Sequence, residues 1–318
     1  MLGTGTAISD WVLLSCIHPL REGEENQAIS CVIRVNAPGV KVYSRRSYAR
    51  AASSTFDYPL SSQFDETDSL MVFDDVFVPW EQVFVYRDRD ITRAHFFETA
   101  AHALGNNQAQ TRFAAKLRFI TGLAQRITQM NGIDRLPPVQ GSLGEIAGHA
   151  AMVEGLVDAQ EATCVIDPSG VARPGPAALY SNMMFQSSVY PTVLQMVREL
   201  CGGGLIQLPS SSADFADADI AADIRRYVQS PGYPSEERVK LLKLAWDAIG
   251  SEFASRHHQY EIFYAGAPFL VKGHMFRAYD FDAAGGLVDE VLAGYGLEVT
   301  DTATAAGDLP AATVGASA

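Results

Sequence analysis

The chain has 318 residues, 47% of them apolar, with 24 basic against 37 acidic side chains and a net charge of −13 at pH 7. That length accommodates two core-bearing units and the composition is that of a globular protein, so a small peptide, a fibre and a wholly disordered chain are excluded. The acidic balance disfavours nonspecific attraction to nucleic acid or an anionic membrane. No run of about 18 apolar residues offers a membrane span. The first twenty residues lack the basic-then-apolar order of a signal peptide. Cys16, Cys31, Cys164 and Cys201 are dispersed without CxxC spacing, which argues against a zinc module or a disulfide scaffold and points to a reducing, cytoplasmic setting.

The chain opens on Leu2-Gly3-Thr4-Gly5-Thr6, read as a polar turn before the strand-like run Trp11-Val12-Leu13-Leu14, and is expected to begin inside a fold. To about residue 90 the apolar residues come in short β-branched and aromatic runs, such as Cys31-Val32-Ile33-Arg34-Val35 and Met71-Val72-Phe73. These are divided by the turn formers Ala37-Pro38-Gly39 and Asp74-Asp75. Pro79 is expected to end the last strand and lead the chain into helices. Beyond Asp90, Phe113, Leu117, Ile120 and Leu123-Ala124 recur at three- and four-residue spacing, as do Ile146, Val153 and Leu156-Val157, which predicts long amphipathic helices. Breaks at Gly132–Pro138, Asp167–Pro176, Gly202–Pro209 and Ser230–Pro234 divide them into four or five. The expected organisation is a β domain over 1–90, a helical bundle over 91–296 and a disordered tail over 297–318, an α+β fold with segregated sheet and helices.

Candidate chemistry is sparse. Asp65, Glu66 and Asp68 precede a strand, where carboxylates more often hold backbone donors than transfer protons. Cys201-Gly202-Gly203-Gly204 reads as a helix C-cap or as a place where backbone closely approaches a pyrophosphate. No G-x-G-x-x-G follows a strand, so a Rossmann nucleotide site is not indicated. Arg256 is placed to pair with Glu252 at i,i+4. His257 and His258 face different directions on a helix, which argues against a shared metal. His95 and His102, seven residues apart on one helix face, and His149 read as surface histidines. No metal site is expected.

Several long motifs, in order, carry a resemblance. Arg45-Arg46-Ser47-Tyr48, Phe56-Asp57-Tyr58-Pro59-Leu60-Ser61-Ser62, Phe64-Asp65-Glu66, Val78-Pro79-Trp80-Glu81 and Tyr86-Arg87-Asp88 lie in the first block. Gly204-Leu205-Ile206, Leu208-Pro209-Ser210-Ser211, the run Lys243 to Phe253, and Arg256-His257 lie in the second. From about residue 2 to 295 the chain resembles the oxygenase components of 4-hydroxyphenylacetate 3-monooxygenase, a family of two-component FADH2-dependent phenol hydroxylases.

The resemblance implies an acyl-CoA-dehydrogenase-like fold, usually tetrameric, with an N-terminal helical domain, a middle β domain and a C-terminal bundle. This chain is expected to hold only the last two. The family's phenol-gripping Arg, Tyr and His match nothing here, so no catalytic residue is named, and activity of the chain by itself is an open expectation. The implied chemistry adds the distal oxygen of a flavin hydroperoxide beside a phenol hydroxyl, using FADH2 from a separate NAD(P)H-dependent reductase and O2. The implied cofactor contacts are Thr4, Thr6, Gly202, Gly203, Ser251, Arg256, His257 and Tyr264, and the implied substrate contacts Ser15, Cys16 and His18. The alternative is a truncated or split relative that folds, oligomerises and binds FAD without catalysis alone.

Overall fold

The computed structural model describes residues 2–16, 18–264 and 266–296; the tail expected over 297–318 lies outside the described residues. The chain divides into two compact units, one through Ala278 and one from Tyr279.

Two three-stranded antiparallel sheets open the first unit. One has the order β1 (Leu2–Thr4), β5 (Asp68–Phe73), β4 (Val40–Ser44); the other has β2 (Trp11–Ser15), β3 (Ile29–Arg34), β6 (Val83–Tyr86). In β5, alternation buries Ser69 and Met71 and exposes Leu70 and Val72. The β3–β6 register slips between Ser30 and Cys31, with the extra residue, Phe84, on β6; Ser30 and Cys31 are both buried, Ser30 on the side that meets His95 of the helix after β6. Gly39, at φ 88°, makes the turn into β4 so tight that a Cβ would collide with the Asp74 carbonyl. Contrary to the sequence-based expectation, Pro79 does not lead into helices. It starts a short 3-10 turn, Trp80–Gln82, and the chain re-enters the sheet as β6. Proline's fixed φ suits that turn as well as it suits a strand end.

Two helical turns, α1 (Tyr48–Ala51) and α2 (Ser61–Phe64), lie between β4 and β5. Past β6 come α3 (Arg89–Phe97), α4 (Ala101–Met130), α5 (Pro137–Ala162), α6 (Pro176–Cys201), α7 (Ala218–Tyr227), α8 (Ser235–Ile249), α9 (Glu252–Phe263) and α10 (Pro268–Ala278). The core joins α4, α5, α6 and α8 through the periodic residues, including Phe113, Leu117, Ile120, Ile146, Val153, Leu194 and Leu242. Proline stands in the first turn of α5 and of α6, where its missing N–H costs nothing.

The four expected breaks fall at linkers, but nine helices rather than four or five occupy the described residues from α3 on. Three further breaks in this unit lie at Glu98–Ala100, Gly250–Ser251 and around Gly266. The break after α3 overturns the single helix face proposed for His95 and His102, which belong to α3 and α4. His102 is also no surface residue: it is buried among Phe96, Phe97, Tyr180 and His274. A two-stranded ribbon, β7 (Val165–Ile166) with β8 (Ala172–Arg173), fills the linker read only as a break.

Three of the motifs that carry the resemblance, the runs 56–62, 208–211 and 243–253, meet at a seam within this unit. Buried Asp57 pairs with Lys243 (3.0 Å) and accepts from the Ser212 amide and hydroxyl (both 3.1 Å) and from Ser54. Burial works against its charge, yet the Ser54, Ser212 and Lys243 contacts outweigh it and hold the carboxyl below the usual range. Asp247 of α8, fully buried, accepts from the amides of Leu60 and Ser61 (both 2.8 Å) and from the Ser61 hydroxyl. The segment 54–61 between the sheets' strands is thereby fastened to α8 and to the loop after α6.

In the second unit, α11 (Phe281–Ala293) is capped by Asp280, whose carboxylate accepts from Ala283 N (2.8 Å). Leu287, Val288 and Val291 of this helix are all more than half exposed.

Candidate functional site

Helix α9 starts at Ser251, whose hydroxyl accepts from Ala254 N and donates to the Asp247 carbonyl (both 3.1 Å), so the seam just described fixes where the helix begins. One turn on, Arg256 projects onto β5. Its guanidinium grips Asp68 in a two-point pair (2.9 and 2.7 Å) and contacts Glu66. This long-range pairing replaces the local Arg256–Glu252 contact expected from sequence. Two carboxylates, Asp68 on β5 and Glu66 just before it, outbid one exposed i,i+4 partner.

Asp68 is the hub. It also accepts from Arg45 Nε (3.1 Å) and from Thr4 Oγ1 (2.9 Å), its cross-strand neighbour in the β1–β5 pair. The Arg256 hydrogen bonds, followed by those from Thr4 and Arg45, hold its carboxyl well below the usual range against the opposing effect of burial. Arg45 extends the chain of charges to Asp65 (2.7 Å), which accepts from the Tyr48 and Ala49 amides. Asp65 thus takes the backbone-holding role foreseen for this acidic cluster, while Glu66 and Asp68 serve guanidinium groups.

A cleft of about 720 Å³ lies over this network, lined by Thr4, Asp68, Arg256, Gln259, Tyr260, Phe263 and Tyr264. The Tyr260 and Tyr264 rings stand 4.8 Å apart, and Tyr260 faces the guanidinium groups of Arg256 (4.9 Å) and Arg112 (4.7 Å). Burial pushes the Tyr260 phenol up to about 12, so it stays protonated. Arg256 also lines an adjoining cleft of about 490 Å³ with Arg45, Arg46, Tyr48, Ser251, Glu252 and Ser255. Arg46 is exposed there and makes no ion pair among the described residues.

Beneath the cleft, α9 is bound to α4. Glu261, with no exposed side-chain surface, pairs with Arg112 and Lys116 and accepts from Gln186 Nε2 (2.7 Å). Burial pushes the Lys116 ammonium down, and Glu261 restores only part of that loss. His257 lies against Phe253 (4.4 Å) with Nδ1 3.3 Å from Lys116 Nζ, whereas His258 lies against Tyr190 (5.8 Å). Burial first, then the charges of Lys116, Arg256 and Arg112, lower the His257 pKa to about 3.

A histidine held neutral in the fold but free to protonate near 6.5 when unfolded stabilises the protein above about pH 6.5. That stability is lost progressively as pH falls toward 3. The urea midpoint is therefore expected to drop between about pH 7 and 4, and less steeply in His257→Gln; equal slopes in the two proteins would refute this assignment.

Of the eight residues named from sequence as cofactor contacts, Thr4, Ser251, Arg256 and Tyr264 line the two clefts joined at Arg256. His257 lies below them, and Thr6 is buried with its hydroxyl packed over Gly3. Gly202 and Gly203 stand elsewhere, after α6; Gly202, at φ 57°, is that helix's C-cap. Ser15, Cys16 and His18 are likewise outside both clefts. Ser15 Oγ and Ser30 Oγ share His95 Nδ1 at 3.5 and 3.2 Å, and Cys16 Sγ approaches the His18 carbonyl. Sequence reasoning missed Asp68, Arg45 and Arg112 as parts of the site. The one signal available was charge matching between Arg45-Arg46 and the Asp65-Glu66-x-Asp68 cluster.

Among the described residues no three His, Cys, Asp or Glu side chains could hold a metal ion, and no helix is long and apolar enough to cross a membrane.

The architecture is acyl-CoA-dehydrogenase-like: an acyl-CoA dehydrogenase from Geobacillus kaustophilus superposes over 86% of this chain and 58% of its own with a TM-score of 0.51 at 12% identity, a likeness of fold alone. Family models described as 4-hydroxyphenylacetate 3-hydroxylase N terminal and C terminal match residues 1–85 and 92–293, and the chain belongs to the 4-hydroxyphenylacetate 3-hydroxylase family. The oxygenase component of 4-hydroxyphenylacetate 3-monooxygenase from Pseudomonas aeruginosa is 38% identical over 244 residues, 76% of this chain and 47% of that protein. The oxygenase component of a Rhodococcus 4-nitrophenol 2-monooxygenase is 34% identical over 283 residues, 88% of this chain and 54% of that one. The chain thus spans about half the length of the curated relatives it matches. A crystal structure of the oxygenase component of 4-hydroxyphenylacetate 3-monooxygenase complexed with FAD and 4-hydroxyphenylacetate superposes with a TM-score of 0.86 at 27% identity, over 92% of this chain and 61% of that one.

Proposed function

We propose that the chain acts as the oxygenase component of a two-component, FADH2-dependent monooxygenase that hydroxylates 4-hydroxyphenylacetate or a similar phenol beside its hydroxyl. The observation that carries this reading is the cleft of Thr4, Arg256, Tyr260, Phe263 and Tyr264, in a chain whose solved relative binds FAD and that phenol. The residues present suit a flavin. Phe263 and Tyr264 offer exposed aromatic surface to a flat ring, Thr4 a hydroxyl at its edge, and Arg46 in the adjoining cleft a cation, with no ion pair among the described residues, for phosphate. When bound, reduced flavin supplies the activation of O2. The protein's own contribution is positional: the Asp68–Arg256 pair fixes the wall, Glu261 fixes α9 behind it, and the aromatic side chains reduce access of water to the reacting face.

The remaining assignments belong to the same reading. Ser15, Cys16 and His18, beside the polar His95–Ser30 pair, serve as substrate-side contacts. Thr6 and His257 support the flavin wall from beneath. Gly202 and Gly203, where an added Cβ would meet nothing within 4 Å, leave backbone open to a cofactor held by a neighbouring subunit. The sheets to residue 90 and the helices over 91–296 act as two domains. A separate NAD(P)H-dependent reductase supplies FADH2, and the four unpaired cysteines suit a cytoplasmic location.

Under anaerobic equilibrium titration, reduced FAD is expected to bind more tightly than NADH; tighter NADH binding, or NADH oxidation without a reductase, would contradict the reading. Self-association into dimers or tetramers is also expected, because Phe269 and Phe276 of α10 are about 70% exposed and Leu287, Val288 and Val291 of α11 more than half. A well-behaved monomer in light scattering would count against it.

A second reading, a chain that binds flavin without turnover by itself, is favoured by the apolar side chains left exposed on the β2–β3–β6 sheet. Trp11 and Leu13 of β2 and Phe84 and Tyr86 of β6 are 40–60% exposed. Catechol formed per FADH2 consumed by the 318-residue polypeptide separates the two: a high, substrate-dependent yield supports turnover, and hydrogen peroxide without catechol supports binding alone.

A further inference from the structure

We propose that Asp68 sets the polarity of the Thr4 hydroxyl, and so makes Thr4 an acceptor for the ring N–H that a reduced flavin carries and an oxidised one lacks. The inference deepens the flavin reading above and rests on it.

A threonine hydroxyl ordinarily chooses its role, because its single proton rotates to suit whatever arrives. Thr4 has no such choice. Asp68 Oδ1 accepts from Thr4 Oγ1 at 2.9 Å and from Arg256 Nη2 at 2.7 Å, while Oδ2 accepts from Arg256 Nε at 2.9 Å and Arg45 Nε at 3.1 Å. An ionised carboxylate has no proton to give back, and two guanidinium groups keep this one ionised. The Thr4 proton is thereby committed inward, along the Thr4–Asp68 cross-strand pair, and the hydroxyl offers the cleft only lone pairs. A ligand nitrogen bearing hydrogen meets an acceptor there. The same nitrogen without hydrogen meets lone pair against lone pair, and a desolvated polar atom left unpaired is costly. Reduction of a flavin places hydrogen on a ring nitrogen that is a bare acceptor in the oxidised form. Asp68 is accordingly a positioning residue: it acts through Thr4 and distinguishes the two redox states of the cofactor.

The test is the ratio of dissociation constants for oxidised and reduced FAD, measured by anaerobic equilibrium titration on the whole chain from flavin absorbance and fluorescence. The unaltered chain is expected to favour reduced FAD about tenfold, the equivalent of one good hydrogen bond. Thr4→Val keeps the shape and leaves the Asp68–Arg256 and Asp68–Arg45 pairs untouched; it should bring the ratio to near one, mainly by weakening reduced FAD. Thr4→Ser should restore the preference. Asp68→Asn, which can donate toward Thr4 and release its proton, should lower the ratio while oxidised FAD still binds. If FAD binds and Thr4→Val leaves the ratio unchanged, this proposal falls and the flavin reading stands. If neither redox state binds, both fall.

Discussion

Replacing Asp247 by alanine is expected to remove about 3 kcal/mol of folding stability, the sum of charged hydrogen bonds lost and of backbone donors stranded in the seam. The carboxylate is fully buried and holds two amides, of Leu60 and Ser61, together with the Ser61 hydroxyl. Among the described residues no other acceptor meets the two amides, and Ser61 is only 2% exposed to water. Asp247→Asn keeps one acceptor oxygen and should lose about half as much. Urea unfolding reads both variants; a loss below about 1 kcal/mol for the alanine variant would mean the seam relaxes and admits water. The Ser251 hydroxyl at the start of α9 is held by the Asp247 main-chain carbonyl, which both substitutions keep, so the start of α9 should persist.

That seam explains why three of the long motifs are legible in the sequence. The 56–62, 208–211 and 243–253 runs each contribute to one buried polar contact set, in which every donor must find its acceptor, so residue types there are tightly constrained. The helices of the core were legible for a different reason: their apolar spacing is local and regular, as in Phe113, Leu117 and Ile120. What the periodicity concealed were breaks made by single caps. Ser251 begins α9 only one residue after Gly250 and two after the end of α8, a Gly-Ser step inside an otherwise continuous helical pattern. The β7–β8 ribbon was beyond reach because each strand has two residues, too few for alternation to register.

Glu261→Ala is expected to cost more, about 3–5 kcal/mol, the range for removing one partner of a buried ion pair. Its carboxylate has no exposed side-chain surface, and its loss would leave Arg112 and Lys116 side by side with Gln186 unpaired. Lys116 already has its ammonium pushed down by burial, so losing its counter-charge should favour the neutral amine. Glu261→Gln, which keeps the shape and a hydrogen-bond acceptor, should fall between. Thermal or urea unfolding would decide; an alanine variant within about 1 kcal/mol of the parent would show that Glu261 is not the tie between α4 and α9.

The candidate site was less legible than the core because its contacts span the chain. Thr4, Asp68 and Arg256 come together across 64 and 188 residues, and a local rule pairing Arg256 with Glu252 had no means of weighing a carboxylate that far away. Burial of His102 was hidden for the same reason, since Tyr180 and His274 come from α6 and α10. Gly202 illustrates the reverse limit: its φ of 57° satisfies a helix end whether or not a ligand approaches.

The most direct test of the account is a crystal structure of the chain with FAD bound. The account predicts the flavin ring against Tyr260, Phe263 and Tyr264, its edge at the Thr4 hydroxyl, with phosphate toward Arg46. A ring bound elsewhere, with the cleft between Thr4 and Tyr264 left open, would contradict it.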